Sequence, residues 1–203
     1  MRVRANGAAG RPAASVPLRT LSPISRNGHG GVLFPLDFVY ERSGIEQPQI
    51  RLLGPEDIPY PYRTLLAHTN DMTLTLERHF GGRLVVRPLS TLRRGTWYVR
   101  RVLLAQEYSG KPVEMGAIRI NLKSFPERLR RQIYANQIPL GRLLRDGGVP
   151  FESRPRCFFE VVPNSEMMGV FWMREPRPLY GRRTEVFADA TKFGDIVEIL
   201  PLV

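Results

Sequence analysis

The sequence has 203 residues, of which 42% are hydrophobic and 24% charged, and its formal net charge is +11. This length and composition are typical of a single globular domain with room for a tail. No apolar run approaches the length of a membrane-spanning helix, so we expect no membrane span. The positive charge suits an anionic ligand or a polyanion equally well.

The N-terminal segment differs from the rest of the chain. Residues 1–31 are rich in Ala, Gly, Pro, Ser and Arg and show no hydrophobic periodicity, which predicts a disordered basic arm. The segment lacks the apolar core of a secretory signal, although its composition also resembles that of an organellar transit peptide. We expect residues 32–203 to form one domain.

Two helical signals follow in chain order. Residues 42–62 are Pro-rich and are predicted to be a loop. The next segment predicts a helix that is broken near Asn70 and Asp71, either of which can cap a second helix from Met72 to Phe80.

The second helical signal begins with Ser124 and Glu127, which have the spacing of a capping box. It predicts an amphipathic helix over residues 125–137. Pro139 then begins a second, short helix that ends at Gly147.

Strand-like segments fill the remainder of the chain. A turn at residues 108–111 predicts a hairpin between its two neighbours. Strands joined in this way, with helices segregated from them, predict an α+β domain on a single, mainly antiparallel sheet with helices packed over it. The predicted strands cover residues 83–89, 96–106, 113–122, 151–162, 168–174, 183–189 and 195–200.

The metal-binding and redox residues are few. Cys157 is the single cysteine, so it forms neither an intrachain disulfide nor a cysteine-based metal site, and we expect a small buried side chain in a reducing, cytoplasmic setting. The histidines, His29, His68 and His79, are too scattered for a metal cluster. No phosphate-binding loop, dinucleotide fingerprint or zinc-protease motif is present.

Two adjacent arginines, Arg100 and Arg101, interrupt the predicted strand over residues 96–106. Because neighbouring strand residues face opposite sides, each arginine shares a face with apolar residues. One guanidinium is therefore expected to point into the core, where it needs a carboxylate partner. The pattern leaves open whether the protein or a ligand supplies that carboxylate.

Glu198 lies in the closing segment "GDIVEILPLV" and shares a face with Ile196 and Leu200, as a core residue would. A desolvated carboxyl group has a raised pKa and can exchange a proton or bind a hydroxyl group near neutral pH. The alternative is an edge strand on which Glu198 reaches water.

Several short motifs, taken in order, resemble those of the chorismate pyruvate-lyase family, and the resemblance covers roughly residues 60–203. The motifs are "NDMT" (70–73), "YVRRVLL" (98–104), "IPLGRLL" (138–144), "LYGRRT" (179–184) and "VEILP" (197–201). The alternative interpretation of "LYGRRT" is structural, with Gly181 in a turn and with Arg182 and Arg183 solvated.

The resemblance implies a cofactor-free lyase that eliminates pyruvate from chorismate and gives 4-hydroxybenzoate, a ubiquinone precursor, or a close relative. It implies that Arg100 holds a carboxylate and that Glu198 meets the hydroxyl end of the ring, which makes these two the expected catalytic residues. The backbone amides near Met72 and Leu140 would help to bind the product carboxylate. We expect a monomer that holds no metal.

Two other functions stay open. A related fold serves as the ligand-sensing effector domain of some bacterial transcription regulators, so the chain could bind a small aromatic carboxylate without converting it. We expect no helix-turn-helix before the body, because residues 1–31 cannot fold as one. Nucleic-acid binding through the basic arm is the third hypothesis, but the body lacks the signature of a known module, and we do not expect it.

Overall fold

The computed structural model describes residues 31–201, so the predicted arm lies outside the described residues except for Gly31. The strands are β1 (Gln49–Leu53), β2 (Leu84–Arg94), β3 (Trp97–Gln106), β4 (Pro112–Asn121), β5 (Glu152–Val162), β6 (Leu179–Ala188) and β7 (Thr191–Leu200). The helices are α1 (Leu36–Ser43), α2 (Tyr62–Leu66), α3 (Met72–Phe80), α4 (Glu127–Ala135), α5 (Leu140–Asp146) and α6 (Ser165–Val170). Along this part of the chain the order of the elements is α1, β1, α2, α3, β2, β3, β4, α4, α5, β5, α6, β6 and β7.

The strands described within residues 31–201 form one antiparallel sheet in the order β1-β5-β6-β7-β4-β3-β2. This confirms the predicted α+β class with a single antiparallel sheet. The last strand, β7, pairs with β4 on one side and β6 on the other, so it lies inside the sheet. The interpretation of Glu198 as an edge-strand residue is therefore wrong.

Helices cover both faces of the sheet, which explains why both faces of β3 are apolar. On one face, α2, α3, α4 and α5 pack over buried residues such as Leu104 and Ile118. On the other face, α1 and α6 pack over residues such as Leu103 and Val197. Cys157 packs against this second cluster, but it is half-buried and not fully buried as predicted.

Two predicted elements are wrong in type. Residues 168–174 were expected to be a strand, but α6 occupies Ser165–Val170, where the Asn164 side chain caps the helix by accepting a hydrogen bond from the Met167 amide at 2.9 Å. The predicted loop over residues 42–62 contains β1, which pairs with β5.

Of the two helix caps predicted from the sequence, the cap of α3 is confirmed and the cap of α4 is wrong. Asp71 caps α3, because its side chain accepts a hydrogen bond from the Thr73 amide at 2.9 Å. The capping box of Ser124 and Glu127 does not form. Ser124 instead ends a short 3-10 helix, and the residue before α4 is Pro126, which has no side-chain acceptor to offer.

The strands β6 and β7, which form a hairpin, each begin earlier than predicted: β6 begins at Leu179 and β7 at Thr191. The turn of this hairpin consists of Asp189 and Ala190, which both have positive φ angles. A tight hairpin turn of this kind usually contains glycine, so the sequence carried little signal for it. No helix within residues 31–201 is long and apolar enough to cross a membrane.

Candidate functional site

A cavity of about 70 Å³ lies between the sheet and the first turns of α3 and α5. This volume is several times what a single water molecule needs. Arg100, Glu198, Met72 and Leu140, the site residues predicted from the sequence, all line it. The other lining residues are Asp71, Thr73, Val102, Leu104, Glu114, Gly116, Ala117, Ile118, Pro139, Phe151, Ser153 and Ile196.

Strand register brings Arg100 and Glu198 to the same cavity. Arg100 is opposite Ile118 on β4, and Glu198 is opposite Gly116 on the same strand. The two residues therefore share a face, with one strand between them and an offset of two residues. From standard strand spacings their Cα atoms are about 12 Å apart.

Arg100 is a buried cation, with 3% of its surface exposed. Its Nη1 donates a hydrogen bond to Oδ1 of Asn136 at 2.8 Å, and Asn136 donates to the Tyr98 hydroxyl at 2.6 Å. Among the residues that the structure describes, no carboxylate pairs with Arg100, and its Nε has no partner. Burial lowers the pKa of Arg100 to about 10, so the group stays charged at neutral pH.

Arg101, on the opposite face of β3, shows the contrasting arrangement. Its Nη1 lies 2.5 Å from Oε1 of Glu166 in α6, and its guanidinium stacks over the Tyr40 ring at 5.2 Å from the ring centre. Of the two alternatives that the sequence left open, a carboxylate from the protein is present for Arg101. Arg101 has a carboxylate from the protein, whereas the described part of the chain supplies none to Arg100.

Glu198 forms an ion pair that the sequence analysis missed. The Nε of Arg182 donates to its Oε2 at 2.5 Å, and the Thr184 hydroxyl donates to the same oxygen at 3.3 Å. Arg182 is completely buried, and its Nη1 also donates to the backbone carbonyls of Leu66 and His68. The unpaired desolvated carboxyl group expected at position 198 is therefore anchored by an arginine.

The position of Arg182 also corrects the alternative for the "LYGRRT" motif. Gly181 lies within β6 and not in a turn, and it pairs with Ile199 of β7. A Cβ at this position would be 2.6 Å from the carbonyl oxygen of Glu198, so the close strand contact requires glycine. Arg182 and Arg183 are not solvated, and Arg183 pairs with Asp195 on the opposite face. The motif therefore belongs to the interior of the sheet.

Glu114 on β4 is a second buried carboxyl group at the cavity, and sequence reasoning missed it. Its Oε2 has no hydrogen-bond partner among the described residues. Burial raises the pKa of Glu114 well above its usual range, and the nearby charge of Glu198 adds to this, while Arg182 opposes it. Strand alternation could have found it. Glu114 shares a face with Gly116 and Ile118, just as Glu198 shares a face with Ile196 and Leu200.

Gly116 makes room for this carboxyl group. A Cβ at Gly116 would lie 2.9 Å from Oε1 of Glu114. The carboxyl group of Glu114 therefore folds back over Gly116, into the space that a side chain at position 116 would occupy. This places it on the floor of the cavity, next to the strand that carries Glu198.

The roof of the cavity is built from two helix starts. Asp71 caps α3 and also pairs with Arg145 of α5 at 2.5 Å, which ties the two helices together. The pKa of Asp71 is raised by its burial. The first amides of a helix have no intrahelical acceptor, so the amides of Met72 and Leu140 are suited to an anion.

Within residues 31–201, no group of three or more His, Cys, Asp or Glu side chains is arranged to hold a metal ion. The polar groups that line the cavity are an arginine, carboxyl groups and helix amides. The cavity offers a cationic end at Arg100, apolar walls, and an opposite end with two carboxyl groups.

No protein-family model and no curated protein matches the sequence. Solved structures do match it. PhnF from Mycobacterium smegmatis is 10% identical, with a TM-score of 0.51 over 66% of this chain and 64% of PhnF. The effector domain of PhnF is also 10% identical, with a TM-score of 0.51 over 64% of this chain and 87% of that domain.

A more distant match is the C-terminal domain of the histidine utilization repressor from Pseudomonas syringae, at 13% identity and a TM-score of 0.41 over 59% of this chain and 92% of that domain. The chain thus spans less than two thirds of PhnF but most of its effector domain. At these identities the likeness shows the fold alone. The described domain has the chorismate lyase-like α+β fold, which it shares with the effector domain of PhnF.

Proposed function

We propose that the domain binds a small ring carboxylate in the cavity between the sheet and the first turns of α3 and α5. The observation that carries this proposal is Arg100, a buried cation for which the described residues provide no carboxylate. An unpaired buried charge is costly, and an anionic ligand would remove that cost.

The orientation of the ligand follows from the charges around the cavity. Its carboxylate lies at Arg100, because arginine favours an anion. The amides at the helix starts line the same cavity and are further donors for an anion. Its ring lies between the apolar side chains of Val102, Leu104 and Ile196. A polar substituent at the far end meets Glu198, whose position is fixed by Arg182.

The fold supports a binding role, since the effector domain of PhnF has the same architecture. Calorimetric titration with benzoate and 4-hydroxybenzoate tests the proposal directly. Binding that depends on Arg100 is the expected result. If neither compound binds, and chorismate does not bind either, the proposal is wrong.

The second candidate function is a chorismate pyruvate-lyase, and Glu114 is the observation that favours it. In this elimination the ether bond between the ring and the enolpyruvyl group breaks, the ring loses a proton and becomes aromatic, and the enolpyruvate takes up a proton to leave as pyruvate. A buried carboxyl group with a raised pKa is suited to moving such a proton near neutral pH.

The two candidates differ in one measurement. Purified protein is incubated with chorismate, and pyruvate and hydroxybenzoate are followed across about pH 6–9, where a general acid or base would act. Release of both products supports the lyase. Tight binding of the hydroxybenzoate without turnover of chorismate supports a ligand-sensing domain and excludes the lyase.

A further inference from the structure

Glu114 has a buried carboxyl group that carboxylate binding does not require. Arg100 holds the carboxylate, and the family resemblance assigns the far end of the ring to Glu198. Glu114 nevertheless lines the same cavity, and its Oε2 has no partner among residues 31–201. Because an unsatisfied buried carboxyl oxygen is costly, its retention points to a partner that the described chain does not supply.

The two carboxyl groups lie beside each other at one end of the cavity. Glu114 folds back over Gly116, and Gly116 is opposite Glu198 on the neighbouring strand. Adjacent strands are about 4.8 Å apart, so a ring that reaches Glu198 also passes close to Glu114. Glu198 is held by Arg182, whereas Glu114 has an oxygen left for a ligand.

We infer that Glu114 determines ligand specificity by hydrogen-bonding a second polar substituent, on the ring carbon next to the one whose substituent meets Glu198. The ligand class is a ring carboxylate with hydroxyl groups on two adjacent carbons, as in 3,4-dihydroxybenzoate, rather than one with a single hydroxyl group. This inference rests on the proposed function and adds the substituent pattern to it.

The protonation state of Glu114 explains why a hydroxyl group suits this position. Burial and the charge of Glu198 raise the pKa of Glu114, which favours its neutral form. A neutral carboxyl group has one donor and retains acceptor capacity, and a hydroxyl group can serve as either partner. A ligand without the second hydroxyl group leaves Glu114 unpaired and loses the contribution of one hydrogen bond.

The test compares three ligands and three proteins by calorimetry near neutral pH. The ligands are benzoate, 4-hydroxybenzoate and 3,4-dihydroxybenzoate, and the proteins are the wild type, Glu114→Leu and Glu114→Gln. We expect the wild type to bind 3,4-dihydroxybenzoate about tenfold more tightly than 4-hydroxybenzoate, the usual effect of one hydrogen bond. Glu114→Leu loses this preference, and Glu114→Gln, which keeps a donor and an acceptor, retains part of it.

The failures of the two proposals are distinguishable. If binding depends on Arg100 but the preference is equal in the wild type and in Glu114→Leu, this inference is overturned and the proposed function stands. If none of the three ligands binds the wild type, this inference is overturned, and the proposed function is overturned with it if chorismate does not bind either. If Glu114→Leu does not fold, the wild type decides, since equal affinity for the two hydroxylated ligands overturns the inference.

Discussion

The Nε of Arg182 lies 2.5 Å from Oε2 of Glu198 on the neighbouring strand, and both side chains are buried. The pair forms one end of the cavity, while Arg100 forms the other without a carboxylate from the described chain. The same face of the sheet thus carries one compensated and one uncompensated arginine. Arg182 therefore stabilises the fold through Glu198, whereas Arg100 is the group to which we assign the ligand carboxylate in the proposed function.

Glu198→Ala is expected to destabilise the domain by about 3–5 kcal/mol, because it leaves Arg182 buried without its partner. Urea unfolding measures the change in the free energy of unfolding. Glu198→Gln keeps a hydrogen-bond acceptor for Arg182, so it should lose less stability than Glu198→Ala. It is therefore the better variant for functional assays. A loss below about 1 kcal/mol in Glu198→Ala, the level of an exposed ion pair, would contradict this role.

Arg100→Met is expected to weaken the binding of a ring carboxylate by roughly 10- to 100-fold, in line with a hydrogen bond to a charged group. Its stability should stay similar or rise, because an unpaired buried charge is removed. Calorimetry with 4-hydroxybenzoate, together with urea unfolding, measures both effects.

Arg101→Met is the matched control, because the neighbouring side chain lies on the opposite face and pairs with Glu166. We expect it to lower stability and to leave ligand affinity unchanged. If both variants weaken binding equally, the assignment of the ligand to the face of Arg100 is wrong.

The sequence predicted the residues of the cavity better than their partners. Alternation along single strands was enough to place Arg100 and Glu198 among apolar neighbours. Finding Arg182 opposite Glu198 required the register between β6 and β7, which depends on a turn at Asp189 and Ala190 without glycine. Alternation within one strand contains no information on register between strands.

The missed α6 has a similar explanation. The segment "EMMGVFWM" is apolar and short, and such runs do not distinguish a buried strand from a buried helix. The deciding feature is the Asn164 cap, which precedes the apolar run. Glu166 of this helix is also the partner of Arg101, so the error hid the reason that one of the two arginines is compensated.

Leu140→Pro tests the helix amide at the roof. Proline is tolerated at the first position of a helix, and Pro139 has the extended ψ of 139° that a following proline requires. The substitution removes one N–H group with little cost to α5, so we expect carboxylate affinity to fall by up to about tenfold. Leu140→Ala, which keeps the N–H group, is the control. Equal affinities in the two variants would show that this amide does not contact the ligand.

Glu114→Leu is expected to change how stability depends on pH. The raised pKa means that the folded state holds a proton on Glu114 at pH values where the unfolded chain has released it. Stability of the wild type therefore falls as pH rises through this window, which begins near the usual carboxyl pKa of about 4.3. The charged groups around Glu114 are Glu198, Arg182 and Asp71, and they remain in the variant.

The stability of Glu114→Leu relative to the wild type should consequently increase from about pH 5 towards pH 9, because the variant has no such proton to lose. Urea unfolding at a series of pH values measures the difference. Glu114→Gln has a side chain of similar shape that does not titrate. Its stability relative to the wild type should therefore increase with pH in the same way. A difference that stays constant over the range would mean that Glu114 is already ionised in the folded protein at low pH, and the donor role assigned to it would be lost.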